Sequence, residues 1–305
     1  MRTVPSRFAF LLILIFLTLT CVAQTIKWTT DVPLVDCDGT PCVDAELSDG
    51  SIVRLGVDTG NAVSILDTRI ATALGLKPSA PPRPGAPPGM YRSVISSVRL
   101  GGSSYQNLAI VVMDLSDMIG QNQMPHVSGT LAYTAFKDRA LQFDFAAHRL
   151  RVSDVLETPA PCADPCDRIT LIKFGEHGPP IVVAQGFAIN GHAVAAQIDT
   201  MFTGSMLIYS SAIAKTGLEM QAKASKVRTF AFTDGGVEMK QAQADSEMFH
   251  GLRFGQGTVY FPTPGVHEPD GLFEATVGLE LLRGSVLTLD FHETVAAAAL
   301  VAAFV

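Results

Sequence analysis

The 305-residue chain carries 22 basic and 29 acidic side chains, a formal charge of −7 at pH 7. Its acidic balance argues against nucleic acid or an anionic membrane surface as a partner. A hydrophobic share of 48% in a chain of this length suffices to bury the core of one large domain or two ordinary ones.

The first segment reads as a secretory signal peptide. Arg2 and Arg7 precede an apolar run over residues 8–19, and Cys21-Val22-Ala23 gives a small-residue cleavage site before Gln24. The run is short for a membrane span, so cleavage after Ala23 is expected, with no membrane attachment afterwards. Loss of residues 1–23 removes two arginines and no acid and takes the formal charge from −7 to −9. Export to the periplasm or the extracellular space is the corresponding expectation.

Four cysteines then remain: Cys37, Cys42, Cys162 and Cys166. They allow three connectivities, and the close pairs C-D-G-T-P-C and C-A-D-P-C predict two local bridges in an oxidising compartment. A four-thiolate zinc site is the alternative.

Ser48-Asp49-Gly50-Ser51 is a hairpin signal joining A-E-L to V-R-L-G-V-D, which ends at Asp58. Asp67 is placed to cap a short helix before Gly75. Residues 78–89, P-S-A-P-P-R-P-G-A-P-P-G, read as irregular, and residues 108–115 as a strand. Residues 130–145 read as strand, turn, short helix over 133–138, and a strand alternating toward Asp144-Phe145. A proline-rich linker over residues 157–166 divides an N-terminal lobe, residues 24–157, from a C-terminal lobe, residues 158–305.

The second half repeats this order. Ile189-Asn190-Gly191-His192 is the hairpin signal and joins G-F-A-I to A-V-A-A-Q-I-D, ending at Asp199, 141 positions after Asp58. Ser210 or Ser211 is expected to cap the next helix, and residues 227–239 read as β structure. Residues 276–291 align without a gap on residues 130–145 at an offset of 146, with a short helix over 279–283. Two matches in the same order indicate an internal duplication. The apolar tail after Glu293 is too short to span a bilayer and is expected to pack on the fold.

The two aspartate loops read V-D-T-G-N-A-V-S-I-L from Val57 and I-D-T-M-F-T-G-S-M-L from Ile198. On these loops, and on the segments T-L-A at Thr130 and T-V-G at Thr276, the sequence resembles the aspartic peptidase clan of pepsin-like and retropepsin-like enzymes. The likeness is to bacterial aspartyl proteases with two such units in one chain. The resemblance implies an all-β, bilobal acid-protease fold, two retropepsin-like β-barrel lobes with short helices. It also implies Asp58 and Asp199 as a catalytic pair, Thr59 and Thr200 as the residues locking the loops, and Gly60 as the motif glycine. Asn61 is placed to bond an outer aspartate oxygen, an option Phe202 lacks at the equivalent position.

Two carboxylates held together cannot both ionise easily, so they share a proton and act as base and acid in peptide hydrolysis. No metal or cofactor is called for. The expected partner is a peptide or protein substrate, and a monomer suffices because both aspartates lie in one chain. Met201 stands where the pattern has glycine, which makes a catalytically silent, peptide-binding homologue the rival expectation.

Tyr91 in G-M-Y-R and the F-T-D-G-G segment at residues 232–236 are candidate flaps, although apolar packing accounts for their aromatics as well. The seven histidines show no metal spacing, and neither a G-x-S-x-G elbow nor a phosphate-binding loop is present.

Overall fold

The computed structural model describes residues 27–37, 39–81, 86–116, 127–153, 166–168, 170–173, 180–224, 226–232, 235–249, 252–263, 268–269, 271–291 and 297–302. The expected leader, residues 157–165 of the expected linker, and Cys162 with its pairing lie outside these residues.

Three sheets account for the fold. In the first half, Tyr91–Leu100 turns Ser93 and Ile95 inward and Arg92 outward, and after its alternation slips by one residue it turns Val98 and Leu100 inward and Arg99 outward. Seven strands of this half form one sheet. It curls shut where Leu47 of Thr40–Leu47 pairs with Val98. The second half does the same with eight strands, closed where Phe187 of Pro180–Ile189 pairs with Phe249.

Both predicted hairpin turns are present. Asp49 and Gly50 turn the chain with Gly50 at φ +84°, and the Asp49 carboxylate accepts the Ser51 N–H at 2.9 Å. Asn190 and Gly191 take φ +49° and +80°, the consecutive positive values that a tight hairpin turn demands and that Asn-Gly tolerates.

The third sheet has six strands and belongs to both halves. Its centre is the antiparallel pair Ala140–Asp144 and Ser285–Asp290, the two Asp-ending strands of the repeat. Gln142 lies opposite Thr288, its repeat equivalent 146 positions on, and donates to the Thr288 hydroxyl at 2.9 Å. Residues paired with their own counterparts mark a pseudo-twofold axis, as in an isologous dimer interface. The C-terminal tail joins this sheet as Ala297–Ala302, paired with Ser285–Asp290. No helix among the described residues is long and apolar enough to cross a membrane.

The short helices depart from expectation in detail. Asp67 caps Thr68–Ala73 as predicted, accepting the Arg69 N–H at 2.8 Å. Over residues 133–138 only Tyr133–Phe136 is helical, a single 3-10 turn; the chain leaves it at Lys137, and Asp138 sits at φ +59°. At residue 210 the expectation is corrected. Tyr209 occupies the cap, and Ser210 is the first helical residue of Ser210–Ile213. The Glu268 carboxylate, 58 positions away, accepts both the Ser210 N–H at 2.8 Å and its hydroxyl at 2.6 Å.

Cys37 and Cys42 form a disulfide across the tight turn that joins Val35–Cys37 to Thr40–Leu47. It packs with Val127 and Val35 in a small apolar cluster. Serine at both positions is expected to lower the unfolding free energy by about 2 kcal/mol, the loop-closure value for so short a ring. The urea midpoint reads this directly, and an unchanged midpoint would show that the turn holds itself.

Candidate active site

Each aspartate sits at the last turn of a strand held in place by the same device. Ile52–Asp58 runs parallel to Gly129–Ala132, with Asp58 beside Ala132, and the latter strand pairs antiparallel with Ser64–Asp67. In the second half His192–Ile198 runs parallel to Ala275–Val277, and the Asp199 N–H donates to Val277 C=O at 2.9 Å. The T-L-A and T-V-G segments therefore cross behind their loops. Their small residues have a steric reason at Gly278, where a Cβ would press into the carbonyl oxygens of Gly204 and Phe202.

The loops meet on the pseudo-axis. Thr59 N–H donates to Thr200 Oγ1 and Thr200 N–H donates to Thr59 Oγ1, both at 3.1 Å. Each hydroxyl then donates across the axis, Thr59 to Ile198 C=O at 2.9 Å and Thr200 to Val57 C=O at 2.5 Å. Both threonines are fully buried, so every one of these groups depends on its partner in the other lobe.

This lock brings the carboxylates together. Asp58 is buried, whereas Asp199 is half-buried. Gly60 lies flat against the Asp199 carboxylate: a Cβ there would sit 2.5 and 2.7 Å from its oxygens, so no side chain fits. Asp58 accepts the Gly60 N–H at 2.9 Å and also the Asn61 N–H. Asn61 thus serves Asp58 through its backbone; its side-chain oxygen is taken by the Val63 N–H at 3.1 Å, a correction to the side-chain role expected from sequence. Asp199 Oδ1 accepts the N–H groups of Met201 at 2.8 Å and Phe202 at 3.0 Å. Phe202 sends its ring into the C-terminal core, edge-on to Tyr260.

Burial pushes the Asp58 carboxyl well above its usual range, and the neighbouring Asp199 charge pushes it further, against the pull of two N–H groups. Burial also raises Asp199, opposed by the Met201 and Phe202 N–H groups. The pair is thus biased toward one shared proton, and the deeper burial of Asp58 favours the neutral form on its side. Among the described residues no cluster of His, Cys, Asp or Glu is arranged to hold a metal ion.

Gln197 and Gly56 escaped the sequence reading, as did the part that Thr276 and Thr130, known only as members of the repeated segments, play beside them. Gln197 donates to Gly60 C=O at 2.8 Å, and its own amide oxygen accepts the Thr276 hydroxyl at 3.3 Å. Gly56 and Thr130 hold the matching places in the first half, at the offsets of 141 and 146. The signal was the repeat itself, which aligns a Gly with a Gln two positions before each aspartate.

Two closed barrels joined by a shared sheet, with paired Asp-Thr loops on the axis between them, define the bilobal acid-protease fold. A family model for aspartyl proteases matches residues 43–127. Solved structures share the fold. One is edgp, 11% identical, TM-score 0.51, covering 88% of this chain and 94% of that one. Another is the aspartic proteinase from Irpex lacteus, 12% identical, TM-score 0.50, covering 89% of this chain and 97% of that one. No curated protein matches the chain in sequence. Residues 43–127 thus resemble the aspartyl protease family, and the chain as a whole has the fold of aspartic proteinases.

Proposed function

We propose that this protein is an exported aspartic endopeptidase that hydrolyses peptide bonds as a monomer, with its dyad formed inside one chain. The observation that carries the reading is the mutual threonine lock, which seats two carboxylates side by side, each under two backbone N–H groups, with Asp58 buried more deeply than Asp199. In this reading Asp199, the ionised member, takes a proton from water as the water oxygen bonds to the peptide carbonyl carbon, while Asp58 gives its proton to the carbonyl oxygen. In the collapse of the resulting diol Asp58 recovers a proton from a hydroxyl, Asp199 gives one to the amide nitrogen, and the C–N bond breaks. Both carboxyls end as they began, without metal or covalent intermediate.

The rival reading, a silent peptide-binding homologue, draws on Met201. The Met201 N–H nevertheless reaches Asp199 as a glycine N–H would, which supports the enzyme.

The test is incubation of the purified protein with a mixed peptide library from about pH 3 to 7, the range in which a coupled carboxylate pair works. Activity is expected as a bell whose alkaline limb lies well above 3.8, the ordinary aspartate value, because that limb is deprotonation of Asp58. Folded protein that cleaves nothing at any pH would reject the enzyme and leave the binding module.

A further inference from the structure

The seam between the aspartate loops is built from two unlike halves. On one side the small residue belongs to the first loop: Gly60 carries no side chain, and Gln197 of the opposite lobe reaches in to its carbonyl oxygen at 2.8 Å. On the other side the repeat places Met201 opposite Gly56. There the sizes are exchanged. The Met201 side chain crosses into the first lobe and lies over Gly56, so that a Cβ at residue 56 would sit 2.9 Å from both Met201 Sδ and Cε. Gly56 is buried in the Ile52–Asp58 strand, two residues before Asp58.

A second observation agrees. Thr276 donates its hydroxyl to Gln197, whereas the hydroxyl of its repeat equivalent Thr130, 7% exposed, has no partner. Thr130 Cγ2 lies 3.5 Å from the place where a side chain at residue 56 would begin. The polar arrangement of one half is therefore replaced in the other by a thioether on a glycine.

We propose that Met201 is a positioning residue of the dyad, keyed into Gly56 as the reciprocal of Gln197 on Gly60. It acts through its own backbone. With its side chain fixed against the first lobe, its N–H and that of Phe202 are held on Asp199 Oδ1. The methionine at the motif's glycine position is thus paired with a glycine at residue 56. The kinetic part of this inference rests on the peptidase reading above; the packing and titration parts do not.

Three variants test it: Met201→Gly, Gly56→Gln and the double exchange Gly56→Gln/Met201→Gly. The first leaves a void over Gly56 and frees the loop. The second forces a side chain against the thioether. The double exchange rebuilds the Gln-on-Gly contact and offers Thr130 an acceptor. Met201→Gly is expected to lower kcat roughly tenfold to hundredfold with KM little changed, the scale of a displaced catalytic group. The double exchange is expected to recover most of that loss.

Carbon-13 titration of the aspartate carboxyls gives a reading that needs no activity. The titratable groups described around Asp199 are Asp58 and Tyr209. Looser N–H donors stabilise the ionised carboxylate less, so the lower apparent pKa of the pair should rise in Met201→Gly and return in the double exchange. Urea unfolding of the four proteins should give a cycle in which the double exchange is more stable than the two single changes predict. Equal or higher kcat in Met201→Gly, an unchanged titration, or additive stabilities would each overturn the proposal. A parent protein that cleaves nothing would reject the peptidase reading alone, with titration and unfolding still deciding the role of Met201.

Discussion

Asp58→Asn and Asp199→Asn are each expected to reduce the proposed peptide cleavage by roughly 10³-fold or more, since each removes one end of the proton transfer. Neither change should unfold the protein, and one of them should stabilise it. Asp58 titrates in the folded state well above 3.8, its ordinary value, so between those two pH values the native protein holds a proton that the unfolded chain releases. Stability from this group is complete below 3.8 and is lost as pH rises through the raised folded value. Asparagine has no such dependence. Urea unfolding at pH 4 and pH 7 should therefore show a smaller fall for Asp58→Asn than for the parent. Cleavage surviving in either variant would remove the dyad as the source of activity. A fall in stability as steep as the parent's would mean that Asp58 is not held protonated.

Thr200→Val should do comparable damage from a position that touches no substrate. The valine keeps the shape and removes one hydroxyl, which orphans the Thr59 N–H it accepts and the Val57 C=O to which it donates. Both groups lie in the sealed seam, where Thr59 and Val57 are fully buried. Two stranded polar groups cost about 2 to 5 kcal/mol together. The cost also falls on function, because the half of the lock that fixes Asp58 to the second lobe is gone while Thr59 still holds Ile198 C=O. A misplaced dyad should lose roughly 10² in kcat. Thr200→Ser, which keeps the hydroxyl, is expected to retain most of both. A Thr200→Val protein with the parent's urea midpoint would show that the lock is dispensable.

Most of the frame was legible because it is written in local chemistry. Asp-Gly and Asn-Gly fix their turns through positive φ, and alternation fixes which face of His192–Ile198 turns inward. The duplication placed Asp58 and Asp199 at equivalent strand ends before any contact was known. The reading slipped at two places, one decided by a partner distant in sequence and one by partners close by. The helix at Ser210 starts on a carboxylate 58 positions away, and Asn61 turns its side chain to Val63 because the backbone already serves Asp58.

Met201 marks the division most clearly. By itself the sequence determined that two Asp-Thr loops repeat, that one has lost its glycine, and that Thr59 and Thr200 are equivalent. Only the tertiary structure decided that the methionine lies over Gly56 while Gln197 bonds Gly60. The reason is physical: propensity and periodicity act over a few residues, whereas the fit of a thioether on a bare backbone exists only once two strands some 140 residues apart are folded face to face.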